Sequence, residues 1–532
     1  PVGTWILKID GLDSEGKTIL TKTEIIEVLS EKYYATKNVG IKEISNSGTG
    51  DINLKISIPS KYENANALIE LKKESGSIKQ IVNVDERTTT NKVGTLDLQN
   101  IPAGKYTMTV KLYDENINED FTTNGILLYT FEDNDVNIYD NLLTNQWDST
   151  KYKNNVLEIT DEKIKEQVTR NYYVSESGND SSEGTQELPF ASIRRGMECA
   201  NKIYGYFTDI NDFTFNLIGT IVENKTVVIS NGLNIEIKKD ATTTETPSVQ
   251  KGATFIGDVL IDVETGGTLL ISDITIDGGN AVASTNVSGI KVLGTLTLKN
   301  VIIQNCESAA NGAGVYVSSG ATINVGGLVK ITGNKTKVGT EEKENNVYLC
   351  DEAKLSFISG LSEGSEIGIT TQTTPLHWNP VEIASKLSFD SVMPDKNINS
   401  YVKSDVVGFG IKGESDSYSL VPSGGNFEIG EIPNLQILLN EEPSSENIIL
   451  SESLEVSITA MLDGKIIDFD SSDLPKITVY NHGSIAQSTI SGNTYTIPSD
   501  WPKDEIYQFV VSCVYEGITY TETFTVCFEN EL

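Results

Sequence analysis

The sequence predicts an all-β protein: a right-handed parallel β-helix behind an N-terminal capping helix, flanked by Ig-like β-sandwich domains. Three observations carry this. From Asn171 to Gly368 the chain is a ladder of short β-branched runs punctuated by Gly, Asn and Asp, the pattern of strands bounded by turns. That ladder has a quasi-period, since Gly289 to Gly314 is 25 residues and Gly314 to Asn346 is 32, within the range of solenoid repeats. Outside it, a proline-bearing stretch leading into an aromatic and an alternating strand occurs three times: Pro1-Val2-Gly3-Thr4-Trp5, Pro102-Ala103-Gly104-Lys105-Tyr106, and Trp501-Pro502 ahead of Ile506-Tyr507.

A chain of 532 residues holds several domains at the usual ~100 to 200 residues each. With 38% hydrophobic and 22% charged residues it has material for sizeable cores, and no apolar run approaches the ~18 residues of a membrane span. Asp and Glu number 75 against 41 Lys and Arg, a net charge of −34. A field of that sign repels phosphate backbones and anionic lipid, which argues against nucleic acid as a partner and for a soluble, surface-rich molecule. Because the sequence starts at Pro1 with no signal segment, the expectation is that an upstream portion carries targeting and any anchor.

Residues 1–36 read as the closing hairpin of an Ig-like domain. Trp5, Leu7 and Ile9 alternate before a turn at Ser14-Glu15-Gly16, and a second strand follows from Glu24 to Leu29. A lone hairpin is not stable, so it completes a larger sheet. Residues 37–140 supply a full Ig-like sandwich, with strands at Ile52 to Ile58, Ala67 to Leu71, Thr95 to Leu98 and Tyr106 to Leu112. The aromatic after each tight turn resembles the tyrosine corner of that fold. Residues 141–170 read as a polar linker with a short helix from Asp161 to Val168, and residues 426–532 as a C-terminal Ig-like sandwich.

Between them, residues 171–425 are the β-helix and its caps. Phe190, Ile193, Met197, Ala200 and Tyr204 recur at helical spacing, so a helix covers the open end of the stack, where unpaired strand edges need cover. Strands then follow in triplets through Gly289 to Val292, Thr295 to Leu298 and Val301 to Ile303, and finish with Ile367 to Ile369. Glycines such as Gly266, Gly294 and Gly327 mark corners. Asn300, Asn305 and Asn334 end strands where the chain turns, and stacked asparagines form hydrogen-bonded ladders.

Ile302-Ile303-Gln304-Asn305, Gly312-Ala313-Gly314-Val315 and Ile331-Thr332-Gly333-Asn334 resemble the paired motifs of the polymorphic outer-membrane-protein repeat family. The Tyr173 to Ile193 opening looks like the entry segment of many bacterial surface β-helices. This sequence departs from the family in placing Ile where the motif has Phe. The resemblance covers residues 171 to about 370 and implies a secreted or outer-surface, non-enzymatic bacterial protein, an adhesin whose partner is a host or extracellular-matrix protein or a glycan. Amphipathic membrane strands like those of the family's translocating barrel are not read in this sequence, so no direct membrane insertion is expected, and a monomer is expected.

Pectate-lyase-like solenoids also carry lyases and glycosidases, so a carbohydrate-active enzyme is the alternative, and a purely structural stalk is a third reading. Lyases of this kind need basic groups, yet the last arginines are Arg194 and Arg195, leaving lysines such as Lys291 and Lys299. Glycosidases need paired carboxylates; Asp273 with Asp277, and Asp258 with Asp262, sit four apart on candidate strands. His377, beside Trp378, and His482 are the only histidines, too far apart in sequence for a Ser/His/Asp relay to be read. Cys199, Cys306, Cys350, Cys513 and Cys527 lack disulfide-framework or zinc spacing, and a Cys513–Cys527 bridge is not expected because the two fall out of step. Asp133-Asn134-Asp135 reads as a solvated acidic turn. No residue set is assigned to a catalytic, cofactor or metal site. Loops Ala281 to Ser288 and Lys335 to Asn345 are as good candidates for binding as the strands.

Overall fold

The computed structural model describes residues 3–12, 18–28, 48–88, 90–279, 288–338, 341–375 and 380–423, with shorter segments from 435 to 529. The protein is mainly β-strand. Among the described residues it has three α-helices, α1 (Asp161–Gln167), α2 (Ile193–Tyr206) and α3 (Lys386–Val392). It divides into two compact units, Pro1–Ile117 with Tyr129–Asp161, and Asn118–Leu128 with Glu162–Leu532.

In the first unit, Gly3–Leu12 pairs antiparallel with Thr18–Val28, Trp5 opposite Ile26. Thr49–Pro59 pairs antiparallel with Asn91–Pro102, and a second sheet runs Gly76–Asn83, Asn66–Lys73, Gly104–Tyr113, Leu127–Ile138. Strand alternation sends Ile52, Leu54, Ile56 and Ile58 to one face and Ile69, Leu71, Met108 and Val110 to another, all at most 1% exposed. The Tyr106 hydroxyl donates to the Pro102 carbonyl at 2.7 Å. The stretch read as a linker does structural work instead. Leu143–Thr144 and Val156–Glu158 pair in parallel with Thr49–Pro59, and Tyr152 is buried against Trp147 and Phe131, ring centroids 5.0 and 5.4 Å away. Its aromatics are spaced without a period, so alternation did not reveal it.

The second unit contains an 18-stranded sheet. Most of its strands pair in parallel with a strand two or three further along, which carries the partner 22 to 36 residues down the chain. Three rows result. Phe213, Ile235, Leu269, Leu296, Ile323 and Leu355 stand in register in the first. Ile221, Val249, Ile276, Ile303, Ile331 and Ile367 do so in the second. Val227, Ile261, Ile290, Val315, Val347 and Ile369 do so in the third. Every one of these is at most 2% exposed, and burying such a side chain stabilises by ~1.5–3 kcal/mol. The core is therefore columns of like residues, and the sequence offsets of 25 and 32 reappear as Ile290 opposite Val315 and Val315 opposite Val347.

Between the first and second rows, three successive tiers each turn on one left-handed residue. Asp273 has φ 58°, Asn300 φ 55° and Gly327 φ 69°, a region that Asn, Asp and Gly tolerate best. Asn300 Nδ2 donates to Asp273 Oδ1 at 2.9 Å, and its Oδ1 accepts from the Leu328 amide at 2.9 Å, so one asparagine bridges an aspartate and a backbone amide here in place of the expected stack of asparagines. A Cβ on Gly327 would lie 2.1 Å from Asn300 Oδ1, so a larger residue there breaks it.

Helix α2 sits at the start of the rows, burying Ile193, Met197, Ala200 and Ile203. The rows do not finish at Ile367 to Ile369. Val402–Ser404 adds in parallel to Glu366–Thr371, and Val381–Ser385 pairs antiparallel with Ser417–Pro422, which in turn pairs with Phe409–Gly413. Towards the C-terminus, Ile506–Tyr515 pairs antiparallel with Ile518–Glu529 and with Lys476–Asn481. The Tyr507 hydroxyl donates to the Pro502 carbonyl at 3.3 Å. No helix among the described residues is long and apolar enough to cross a membrane.

Candidate functional site

Because side chains alternate along a strand, the third row that sends Ile261, Ile290, Val315, Val347 and Ile369 inward sends their neighbours outward. Those neighbours are Asp262, Lys291, Tyr316, Tyr348 and Thr370, again in register. Paired strands are ~4.8 Å apart, so aromatic side chains on successive tiers meet. Tyr316 and Tyr348 stack with centroids 5.8 Å apart and planes 15° from parallel. That separation belongs to an offset stack, in which Tyr316 is half-buried and Tyr348 is only 8% exposed.

A cavity of about 530 Å³ opens beside the two rings, lined also by Asp258, Lys291, Ser308 and Asn311. Cys350 Sγ contacts the Tyr316 hydroxyl at 3.0 Å. This contact, then burial, pushes the Tyr316 phenol up to about 12, and burial raises that of Tyr348. Both rings are neutral at physiological pH. Lys291 Nζ lies 3.7 Å from Asp262 Oδ2. Burial raises the Asp262 carboxyl, while Lys291 opposes the rise; its Oδ1 is buried with no hydrogen-bond partner among the described residues. The wall thus offers the Lys291 ammonium, the Asp258 carboxyl, neutral hydroxyls, the side-chain amides of Asn311 and Gln372, and the two tyrosine rings, with Asp262 behind Lys291.

The carboxylates singled out by spacing have different fates. Asp258 is exposed and lines the groove, whereas Asp262 is half-buried and reaches it only through its contact with Lys291. Asp273 holds Asn300 and lines a separate cavity of about 500 Å³ with Lys239 and Asp240. Asp277 accepts from Gln304 Nε2 at 2.9 Å, from Asn305 Nδ2 at 3.1 and 3.2 Å, and from the Gly279 amide at 2.9 Å. The Asp273–Asp277 pair is therefore engaged in holding turns. Asp133 is not in a solvated turn. It is 4% exposed within Leu127–Ile138 and accepts from Tyr152 at 2.9 Å and Lys151 at 2.6 Å.

Cys199, Cys306, Cys350 and Cys513 are buried thiols outside any disulfide among the described residues. Cys513 pairs with Tyr520 and Cys527 with Ile506, too far apart along the hairpin for the Cα spacing of a disulfide. Lys335–Val338 and Glu341–Glu344 form an antiparallel hairpin inside one candidate loop. His377, Trp378, His482 and residues 281–287 lie outside the described residues. Among the described residues no cluster of three or more His, Cys, Asp or Glu could hold a metal ion.

A buried polar chain runs nearby. Asn334 Oδ1 accepts from the Cys306 amide at 3.0 Å, and its Nδ2 donates to Asn346 Oδ1 at 3.0 Å. Asn346 Nδ2 and its own amide donate to Asp405 at 2.6 and 2.7 Å.

Tyr316 and Tyr348 were not picked out by sequence spacing. The signal was present, because each lies two residues after the repeat markers Gly314 and Asn346.

No protein-family model matches the chain, and no curated protein matches it. Among solved structures it is similar to a putative β-galactosidase from Bacteroides fragilis, at 8% identity over 92% of this chain and 73% of that one, with a TM-score of 0.13. It is also similar to a β-glucuronidase from Bacteroides uniformis, at 6% identity over 92% of this chain and 60% of that one, with a TM-score of 0.12. Scores that low carry no argument about fold or chemistry.

Proposed function

We propose that this chain is a non-enzymatic, secreted or surface-displayed protein that binds glycan through the Tyr316–Tyr348 groove, with adhesion as its role. The three rows are read as a right-handed parallel β-helix, the hand that parallel crossovers take. The flanking sheets are read as Ig-like spacers, supported by the Tyr106 and Tyr507 hydroxyls, which return to the carbonyls of Pro102 and Pro502 as tyrosine corners do.

One observation carries the binding reading: two stacked, uncharged tyrosines in a cavity of about 530 Å³ among short polar side chains. Sugars present C–H faces to rings and hydroxyls to polar groups, and concave sites of this size bind small ligands. In a glycan panel followed by calorimetry, Tyr316→Ala and Tyr348→Ala each weaken binding about tenfold, or ~1.4 kcal/mol. No binding of any glycan by the parent chain sinks the reading.

A specific observation keeps a hydrolase as second reading. Burial raises the Asp262 carboxyl while Asp258, four residues away on the same strand, faces solvent. Two carboxyl groups held in unlike environments are what acid–base hydrolysis of a glycoside uses. Release of reducing ends from a bound glycan, abolished by Asp262→Asn, would favour it. Binding without release leaves the first reading standing.

A further inference from the structure

Resting on the glycan-binding reading, we infer that the ligand is an uncharged, extended oligosaccharide lying along the stacking direction of the rows, with one sugar unit per tier.

Direction follows from register. The outward column Asp262, Lys291, Tyr316, Tyr348, Thr370 crosses five tiers. At ~4.8 Å per tier its four steps span ~19 Å, and each step is close to the advance of one pyranose in an extended chain. The cavity runs beside this column, with Asp258 towards its first tier and Tyr348 towards its far tiers, and with Ser308 and Asn311 on its wall. Asn311 stands beside Tyr348 on that wall and opposes the rise of its phenol. A ligand lying across the rows would meet one ring and leave the other unused.

Charge decides the class. Lys291 is the one cation lining the cavity among the described residues. It already faces Asp262, and Asp258 lies on the same wall. A carboxylated or sulfated sugar would therefore compete with two carboxyl groups for a single ammonium, inside a chain of net charge −34. Hydroxyls of an uncharged sugar meet no such penalty. They donate to Asp258, exchange hydrogen bonds with Ser308 and Asn311, and leave the C–H faces for the tyrosines.

The test is calorimetry on the full chain with uncharged cello-, xylo- and N-acetylchito-oligosaccharides of increasing length, and with oligogalacturonate and heparin fragments, each at low and high salt. Affinity is expected to rise with length to about five units, one for each tier of the column, and then level. Salt should change it less than about twofold, because counterion release contributes little to an uncharged ligand. Tyr316→Ala should weaken binding about tenfold. Tyr316→Phe, which keeps the stack, should bind like the parent, so a loss by the alanine variant alone is not misfolding. Tighter, salt-sensitive binding of the anionic fragments, or affinity already complete for a monosaccharide, overturns this inference while leaving glycan binding intact. Absence of binding to every member removes both.

Discussion

Asp405 ends a buried chain of side-chain amides that starts at Cys306, and its ionisation sets a pH dependence. Burial pushes its carboxyl up to about 6, with Glu344 adding repulsion, against the opposing hydrogen bonds from Asn346 and Thr370. The unfolded value is near 3.9, so the folded state holds the proton more tightly. The resulting stability, of order 2–3 kcal/mol at 1.36 kcal/mol per unit, is fully present below the unfolded value and is lost as pH rises through about 6. Glu223, which accepts from the Ile193 amide at 2.6 Å, is pushed to about 7 by burial and acts in the same sense. Urea midpoints should therefore rise from about pH 7 to about pH 4, and Asp405→Asn should flatten the lower part of that rise. A midpoint that falls with acid would contradict it. None of this was legible in the sequence, where Asp405 is one acidic residue among many. Which carboxylates lose water depends on contacts 59 residues apart, such as Asn346 with Asp405.

Helix α2 shows what local pattern does convey. Its buried Ile193, Met197 and Ala200 were legible from their spacing, though Ile203 rather than Tyr204 completes the face. Its cap was not. Asp180 accepts from the amides of Ala191 and Ser192, both at 2.9 Å, and from the Ser192 hydroxyl at 2.7 Å, while Ser192 Oγ accepts from the Arg195 amide at 3.1 Å. Removing a cap of this kind costs about 0.5–2 kcal/mol. Asp180→Ala should lower the thermal midpoint accordingly with its circular dichroism otherwise intact, and an unchanged midpoint would show the cap to be redundant. The Lys335–Glu344 hairpin escaped notice for the opposite reason. Its second strand, Glu341–Glu344, is exposed throughout, so no apolar alternation marks it. Charged pairs hold it instead, with Lys337 Nζ 2.7 Å from Glu307 and 3.1 Å from Glu342.

Across the whole ladder, legibility followed repetition. Positions that recur every tier, such as Ile276, Ile303 and Ile331, marked the strands, and the structure sets them in register. The groove was half legible by the same rule, since Tyr316 and Tyr348 share a tier position, whereas the wall at Ser308 and Asn311 belongs to a connection of no fixed length. The end of the ladder was illegible because closure there switches to antiparallel pairing at Val381–Ser385 and Ser417–Pro422. The row arrangement also fixes how this part of the molecule bears load. Hydrogen bonds between paired strands point along the stacking direction, so tension applied between Asn171–Ser175 and Val402–Ser404 strains one tier at a time instead of shearing many together. Under optical tweezers the ladder should lengthen in a staircase. The step that frees Asn171–Ser175, whose partners lie 43 residues on, is the longest; the others release the 22 to 36 residues separating register partners, roughly 70–130 Å at ~3.3–3.6 Å per residue. A single rip of the whole ladder would mean instead that its tiers yield as one body. Stepwise yielding would let such a protein pay out length under tension while the remaining tiers keep their register.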